Sequence, residues 1–538
     1  MQPYLLSLLI FTPLLAALLI LFIPSKYRSV FRIVALIASL FQVLLLIEIL
    51  LYFHAGQHGL QLAERQPWIS LNLGSWGILQ AEYFIALDGL NLPLVALSIF
   101  IMLVATVSSW TIGQSVKGYF ALLLVLNASI IGSFVALDFL LFYLFFEFML
   151  LPMFFLIGIW GGPRREYASI KFFLYTLLGS ILILVVMIGL YISVSDPSQA
   201  GQLVHSFNML TMSDPLNFIS HAILDPNNPW TIVGLNARLW AFLFLFIGFT
   251  IKLPMVPFHT WLPDAHVEAP TPVSVILAAL LLKIGGYGLA RIAFPIFPEA
   301  AIYFSSFIAL MGVISIIYGA LNAMASKDLK RLIAYSSVSH MGFVLLGLSS
   351  LTTEGVSGAV YQMFSHGIIS AMLFLIAGVL YDRTQDRMIL NYSGLSSRMQ
   401  SFFVVVLVAF FASMGLPGFS GFIGEIMIFL GAFKSNSFNG LLHESFAIVA
   451  TAGLVLGAAY YLWTIQRMFF GTFHLKGNVR EDQLYDLNRR EYLMLVPLGL
   501  ACLLFGIFPQ PLINLINPFA EGFVEIVITT GKRLTLNP

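Results

Sequence analysis

Six ionisable residues lie within long apolar stretches of this sequence, where side chains of their types are rarely found. They are two acids, two lysines and two histidines: Glu147, Lys252, Lys283, His340, His366 and Glu425. A charged side chain at the centre of a bilayer costs about 2.5–3.5 kcal/mol on insertion scales, so each one needs a partner or a function. Because all six can gain or lose a proton, they predict proton transfer.

Glu147 and Lys252 form the first predicted pair. Burial disfavours the charged form of a lysine and a nearby carboxylate favours it, so a change in their separation would load or release a proton. Lys283 and the two histidines would pass the proton sideways, since imidazole titrates near neutral pH. Glu425 would hold the proton at the far side. The alternative is structural, with these residues pairing across helices to hold a bundle together.

The elements that position these residues must be membrane helices. The 538 residues are 59% hydrophobic and 9% charged, whereas soluble domains carry roughly 25% charged residues. The 26 basic and 25 acidic residues nearly cancel, which excludes a nucleic-acid-binding protein on bulk electrostatics. The single cysteine, Cys502, excludes a disulfide framework and a cysteine-ligated iron–sulfur cluster within the chain.

Fourteen apolar runs are long enough to cross a bilayer, at about 20 residues per helix. They lie at roughly 3–24, 30–53, 84–109, 117–136, 138–158, 170–194, 238–258, 272–294, 301–320, 329–349, 357–381, 402–432, 446–470 and 493–511. Eighteen of the 26 Lys and Arg residues fall in loops after odd-numbered runs and six in the other loops and tail. By the positive-inside rule, the odd loops face the cytoplasm and both termini lie outside.

Helix breakers interrupt the seventh and twelfth runs. Pro254 and Pro257 follow Lys252, and several glycines with Pro417 precede Glu425. Each break frees backbone groups that only protein or water can satisfy. Matching breaks five helices apart predict two inverted five-helix repeats. The predicted segments are helices 1–3 at 1–110, the first repeat at 111–294, the second at 295–470, and helix 14 with a tail at 471–538.

Two other regions carry weaker signals. His259 and His266 lie near Asp264 and Glu268, and these side chains could bind a metal, but their spacing fits no standard site and favours loop structure or proton entry. The long polar stretch at 195–237 contains no Lys or Arg, which suits an external loop, and we interpret it as a variable insertion.

Four blocks of the sequence carry a family resemblance. They are FEFMLLPMFFLIGIWGG, GFTIKLPMVPFHTWLPDAHVEAPTPVSVILAALLLKIGGYGL, LKRLIAYSSVSHMGFV and GLPGFSGFIGE. Together they closely resemble the antiporter-like subunits of respiratory complex I, the proton-pumping NADH:quinone oxidoreductase, over roughly residues 80–470. The M type, also called chain 4, is favoured because the length leaves no room for the long lateral C-terminal helix of the L type. In addition, Glu425 stands where the L and N types typically carry lysine.

The resemblance implies a role for each of the six residues. It assigns the glutamate/lysine pair to Glu147 and Lys252, the connecting lysine to Lys283, and the terminal glutamate to Glu425, with the two histidines on the central axis. It implies a proton-translocating subunit of an enzyme complex, with no redox chemistry in this chain. FMN, iron–sulfur clusters and quinone would be bound by other subunits. The expected partners are L- and N-type chains and small membrane subunits in the inner membrane of a bacterium.

Two alternatives stay open on the sequence. The same resemblance covers subunits of Mrp-type sodium/proton antiporters, in which no redox enzyme is present. The chain could also be a structural scaffold of a related ferredoxin- or hydrogenase-linked complex, because the electron donor would be bound elsewhere.

Overall fold

In the computed structural model, which describes residues 4–72, 74, 78–197, 204–476 and 484–536, the chain is a bundle of long apolar helices. Thirteen helices in this part of the chain are long and apolar enough to cross a membrane. They are twelve of the predicted helices and one further helix at the C-terminus. Predicted helices 7 and 12 are not among the thirteen because a break divides each of them. The polytopic helical fold and both breaks are thus confirmed.

The N-terminal region combines helices with a β-hairpin. Its elements are α1 (Leu5–Phe22), α2 (Arg28–Tyr52), β1 (Gln61–Asn72), β2 (Ile78–Leu87), α3 (Asn91–Ser108) and α4 (Val116–Val135). The predicted start of the third helix at residue 84 is wrong, because aromatic and β-branched residues favour a strand there. The Asp88 carboxylate then accepts the N–H groups of Leu90 and Asn91, which begins the helix at Asn91.

Buried carboxylates tie the hairpin to the helices. Glu64 on β1 accepts the N–H of Leu6 at 2.8 Å, at the start of α1. Asp138 accepts the N–H of Glu82 on β2 at 2.9 Å and the N–H of Leu141 at 3.0 Å, which caps the next helix. The hairpin therefore holds the ends of two membrane helices at one face of the bundle.

The middle of the chain contains the first break and the described part of the long loop. Its elements are α5 (Phe139–Phe148), α6 (Leu150–Trp160), α7 (Arg165–Ser193), β3 (Val204–Ser206), α8 (Met209–Ser213), β4 (Thr231–Ile232), β5 (Leu235–Asn236), α9 (Ala237–Lys252) and α10 (Trp261–Glu268). β3 pairs in parallel with β2, so the order in the sheet is β1-β2-β3. This strand fixes part of the predicted external insertion to the hairpin.

The second half follows the same helical plan. Its elements are α11 (Thr271–Ile276), α12 (Leu282–Gly288), α13 (Phe294–Ile296), α14 (Pro298–Tyr303), α15 (Ser305–Ala325), α16 (Leu329–Ser349), α17 (Thr353–Thr384), β6 (Tyr392–Ser393), α18 (Gln400–Ser413), α19 (Ser420–Phe438), α20 (Ser445–Ala450), α21 (Ala452–Phe469), β7 (His474–Leu475) and α22 (Arg489–Ile507). Two π-helical turns, 277–281 and 289–293, flank α12. The apolar stretches of the membrane segment from α11 to α13 and of the helix α17 are entirely buried, and these two elements form the axis of the bundle.

The residues after α22, expected as a tail, form a further helix, α23 (Gln510–Leu536). It is amphipathic, and buried apolar residues recur along one side: Leu512, Ile516, Ala520, Phe523, Val524 and Val527. This spacing matches one face of a helix. The sequence does not predict this helix, because its apolar residues are interspersed with polar ones rather than forming one run.

Candidate functional site

Lys252 is the last residue of α9, directly before the first break. The break exposes backbone groups, and Trp261 Nε1 donates to the carbonyl of Ile251 at 2.9 Å while the N–H of Val256 donates to Ser315 Oγ at 3.1 Å. The ammonium group of Lys252 is buried and contacts backbone and aromatic atoms rather than a carboxylate. It donates to the carbonyl of Phe146 at 3.3 Å and lies 3.1 Å from the centre of that ring.

Glu147 lies next to these contacts, near the end of α5. Pro152 has no N–H for the carbonyl of Phe148, and the helix is interrupted at Met149. Within the described residues, Glu147 Oε1 has no hydrogen-bond partner, and Lys252 Nζ contacts Met149 Sδ at 3.4 Å instead of the Glu147 carboxylate. Tyr143 is within hydrogen-bonding reach of Glu147. The predicted pair is therefore close in space but separated in this structure.

Lys283 lies on α12, between the two π-helical turns. Its Nζ donates to the carbonyl of Ala278 at 2.7 Å, five residues earlier. The same Nζ is 2.8 Å from Nδ1 of His366 on α17. Single π turns often mark functional sites in helices, and here the turn leaves a carbonyl free to bind the lysine. Lys283 is completely buried.

The two histidines and Glu425 continue the row from Lys283. The rings of His366 and His340 are 5.3 Å apart between centroids. His340 Nδ1 lies 3.4 Å from Glu425 Oε1, and both side chains are buried. The structure thus brings four of the six predicted residues into one row, from Lys283 through the histidines to Glu425.

Glu425 occupies the second break, between α18 and α19. The chain turns at Gly415, whose φ of +69° is in the left-handed region, and a Cβ there would collide with the Glu425 carboxylate. Gly415 is therefore required both by its backbone conformation and by the close approach of the acid. The break opens space for a carboxylate inside the bundle.

Sequence reasoning misses four polar residues around His340. They are Gln362, Ser413, Tyr461 and Ser336. Gln362 Nε2 is 3.4 Å from His340 Nδ1, and Ser413 Oγ is 3.3 Å from His340 Nε2. Hydroxyls and amides are common in membrane helices, so only their contacts in the structure identify them. Gln362 and Ser413 approach the imidazole itself, and Tyr461 connects Ser413 to Ser336.

His259 and His266 do not join the row through hydrogen bonds. Both are buried, and in the described part of the chain neither ring nitrogen of His266 has a hydrogen-bond partner. The ring of His266 instead stacks on Phe374 with a centroid distance of 4.3 Å. No group of three or more His, Cys, Asp or Glu side chains among the described residues could hold a metal ion.

Three buried arginine–carboxylate pairs lie away from the row. Arg238 donates to Glu299, Arg291 to Asp88 and Arg383 to Glu491. Each joins elements distant in sequence, and Arg cannot lose its proton in a protein. These pairs therefore serve as structural clamps rather than proton carriers. The sequence places all three arginines in loops, whereas the structure leaves at most 9% of their side-chain surface exposed.

Comparisons with known proteins agree with this architecture. The family described as "NADH:quinone oxidoreductase/Mrp antiporter, TM" matches residues 136–451, which include all six predicted residues. NADH-quinone oxidoreductase subunit M of Rhodobacter capsulatus is 40% identical over 97% of this chain and 96% of its own length. A chain of respiratory complex I from Thermus thermophilus with bound NADH has a TM-score of 0.78 and 29% identity, covering 97% of this chain and 99% of that chain.

A chain of the Mrp complex from Dietzia sp. DQ12-45-1b has a TM-score of 0.77 at 18% identity, covering 98% of this chain and 99% of that chain. At this identity the likeness shows the shared fold alone.

The chain belongs to the NADH:quinone oxidoreductase/Mrp antiporter family of multi-pass membrane proteins. Within this family it is an antiporter-like M-type subunit of complex I, and so part of an enzyme complex with a proton-translocating membrane arm. Its partners are other membrane subunits of the complex, and the cofactors are carried by other subunits. The identification from the four sequence blocks is confirmed.

Proposed function

We propose that this chain moves protons through the six candidate residues, driven by redox chemistry in other subunits. The observation that carries the proposal is the row of direct contacts from Lys283 through His366 and His340 to Glu425. Each neighbour in the row can accept and release a proton, and the bundle axis around them is buried. A purely structural pairing needs no such continuous series of titratable groups.

The proposed path enters from the cytoplasm near Glu147 and Lys252 and leaves outward near Glu425. The excess of Lys and Arg in the odd-numbered loops supports this orientation, with both termini on the periplasmic side of a bacterial inner membrane. We further propose that L- and N-type chains and small membrane subunits are neighbours of this chain. FMN, iron–sulfur clusters and quinone then supply the driving reaction in other subunits.

The test is substitution of Lys252 or Glu147 by Ala in the assembled complex, reconstituted in vesicles. NADH-driven proton translocation should be abolished while the complex still assembles, because the first pair can no longer load a proton. Lys117→Ala is the matched control, since Lys117 is an exposed lysine that donates to the carbonyl of Leu21, and it should pump normally. Full pumping by Lys252→Ala would contradict the assignment.

An Mrp-type antiporter subunit would have other partners. We expect a tagged chain, purified from gently solubilised membranes, to carry peripheral subunits with flavin and iron–sulfur signals. A particle of small membrane proteins without these signals would favour a cation/proton antiporter instead.

A further inference from the structure

Three hydroxyl groups form a hydrogen-bonded series beside His340, which we call the hydroxyl series. Ser413 at the end of α18 donates to the hydroxyl of Tyr461 on α21 at 2.7 Å, and Tyr461 donates to Ser336 on α16 at 3.0 Å. Ser336 in turn donates to the carbonyl of Ile333 at 2.8 Å. All three side chains are buried. The hydroxyl series therefore connects three helices and ends on a backbone acceptor.

Ser336, the last member of the hydroxyl series, determines the direction of its hydrogen bonds. Each hydroxyl has a single hydrogen, and that of Ser336 is used on a carbonyl, which can only accept. Ser336 must then accept the hydrogen of Tyr461, and Tyr461 must accept that of Ser413. Ser413 has no hydrogen left for His340 Nε2, at 3.3 Å. Its oxygen can only accept, so Nε2 is the nitrogen that carries the ring hydrogen.

The other ring nitrogen faces a different environment. His340 Nδ1 lies 3.4 Å from Gln362 Nε2, a donor, and 3.4 Å from Glu425 Oε1. With the hydrogen held at Nε2, the neutral ring presents a lone pair at Nδ1, toward the Gln362 amide and the Glu425 carboxyl group. This nitrogen is thus the one that can take up a proton next to Glu425.

We propose that Tyr461 is a positioning residue that, through Ser413, fixes the tautomer of His340 so that proton exchange occurs at Nδ1, facing Glu425. Within the described residues, Tyr461 makes no hydrogen bond to His340 or Glu425, and it acts through Ser413. The inference rests on the proposed function, because it assumes that His340 and Glu425 lie on the proton path.

Removing the Tyr461 hydroxyl would free the hydrogen of Ser413. In Tyr461→Phe, the ring keeps its packing against Phe410, at 4.9 Å between centroids, but Ser413 can turn its hydrogen toward Nε2. The ring hydrogen then moves to Nδ1, and the neutral ring has no lone pair for a proton at Glu425. The other titratable groups around the ring are His366 on α17 and Tyr460 on α21, and the Tyr460 ring lies 4.5 Å from that of Tyr461 between centroids.

The experiment measures proton translocation of the assembled complex in vesicles across a range of pH. We expect Tyr461→Phe and Ser413→Ala each to lower pumping several-fold and to shift the pH profile of pumping. The double variant should behave like either single variant, because both substitutions act on the hydroxyl series. Ser413→Thr keeps a hydroxyl and should restore pumping. Tyr119→Phe is the control, since Tyr119 is a buried tyrosine whose hydroxyl is hydrogen-bonded to Ser109 at 3.0 Å, away from the hydroxyl series.

Two outcomes separate this inference from the proposed function. Normal pumping and an unchanged pH profile in Tyr461→Phe, with pumping lost in His340→Ala and Glu425→Ala, would overturn the positioning role and leave the proposed path intact. Normal pumping in all of these variants would overturn both. Loss in Tyr461→Phe without a change in the shape of the pH profile would also contradict the tautomer role, since a structural defect lowers pumping equally at every pH.

Discussion

The two helix breaks place their ionisable residues in different arrangements. At the first break, Lys252 contacts a carbonyl and an aromatic ring, and Glu147 stands apart from it. At the second, Glu425 lies 3.4 Å from His340 and belongs to a row that reaches Lys283. In the second group, Lys283 lies 2.8 Å from His366 and His340 lies 3.4 Å from Glu425, and the two imidazole rings are 5.3 Å apart between centroids. The first group requires a movement of side chains, which suits it to the role of a gate.

The strongest test of this contrast is to interrupt the row at Lys283. Lys283→Leu removes the ammonium that joins Ala278 and His366, and we expect pumping to fall by about a hundredfold, within the range of a lost proton-transfer group. Lys283→Arg should lower pumping as well, because arginine keeps the positive charge but cannot release a proton. Proton translocation per electron pair measures both, with assembly as the control. Normal pumping by Lys283→Arg would mean that charge alone is needed there.

A second test uses two glycines of the α18–α19 break. Gly415→Ala puts a Cβ against the Glu425 carboxylate at a φ of +69°, so we expect pumping to fall severalfold and stability to drop by more than the backbone cost of about 1–2 kcal/mol. Gly418→Ala is matched, because its φ is +94° but its Cβ meets open space. It should lower thermal stability and leave pumping near normal. Equal pumping by the two variants would contradict the need for close approach at Glu425.

A third test changes the separation in the first pair. Glu147→Asp keeps the carboxylate but shortens its reach toward Lys252, so we expect a partial loss of pumping. The corresponding change in the row, Glu425→Asp, withdraws the acid from a direct contact with His340 and should cost more. Proton uptake in vesicles measures the loss of pumping in Glu147→Asp and in Glu425→Asp, and the ratio of these losses tests the contrast between the two breaks. A larger loss of pumping in Glu147→Asp than in Glu425→Asp would contradict the role of the first pair as a gate and of Glu425 as a member of the row.

The smallest expected effect concerns Asp486, outside the membrane. Its carboxylate accepts the N–H groups of Ser401 and Phe402 at 2.8 and 2.9 Å, at the start of α18. Burial alone would raise the pKa of Asp486, but these hydrogen bonds hold it below its ordinary value. The resulting stability is present above the unfolded pKa and is lost as the pH falls through the folded pKa.

Thermal unfolding should therefore show a small loss below about pH 4 that is absent in Asp486→Asn. Pumping at neutral pH should be nearly unchanged in this variant, because α18 keeps its packing. A strong pumping defect would instead show that the second break depends on this distant cap.

The fold class was largely predictable, because a bilayer demands long apolar helices and charged residues within them are conspicuous. The exceptions were elements without a continuous apolar run. Residues 78–87 form a strand where the sequence predicts a helix from residue 84, and α23 escapes prediction because its apolar residues recur only on one face. The six candidate residues were found by type alone, whereas Gln362, Ser413 and Tyr461 were not, since polar uncharged residues carry little cost in a helix bundle.

The sequence by itself determined that the chain lies in a membrane, that its helices break after Lys252 and before Glu425, and that six protonatable groups lie within its apolar stretches. These follow from composition and local chemistry, which need no knowledge of neighbours. Only the tertiary structure decided that Lys283, His366, His340 and Glu425 form one row while Glu147 and Lys252 stand apart. Contacts between helices distant in sequence depend on packing angles and on rotamers, which no single stretch of sequence specifies.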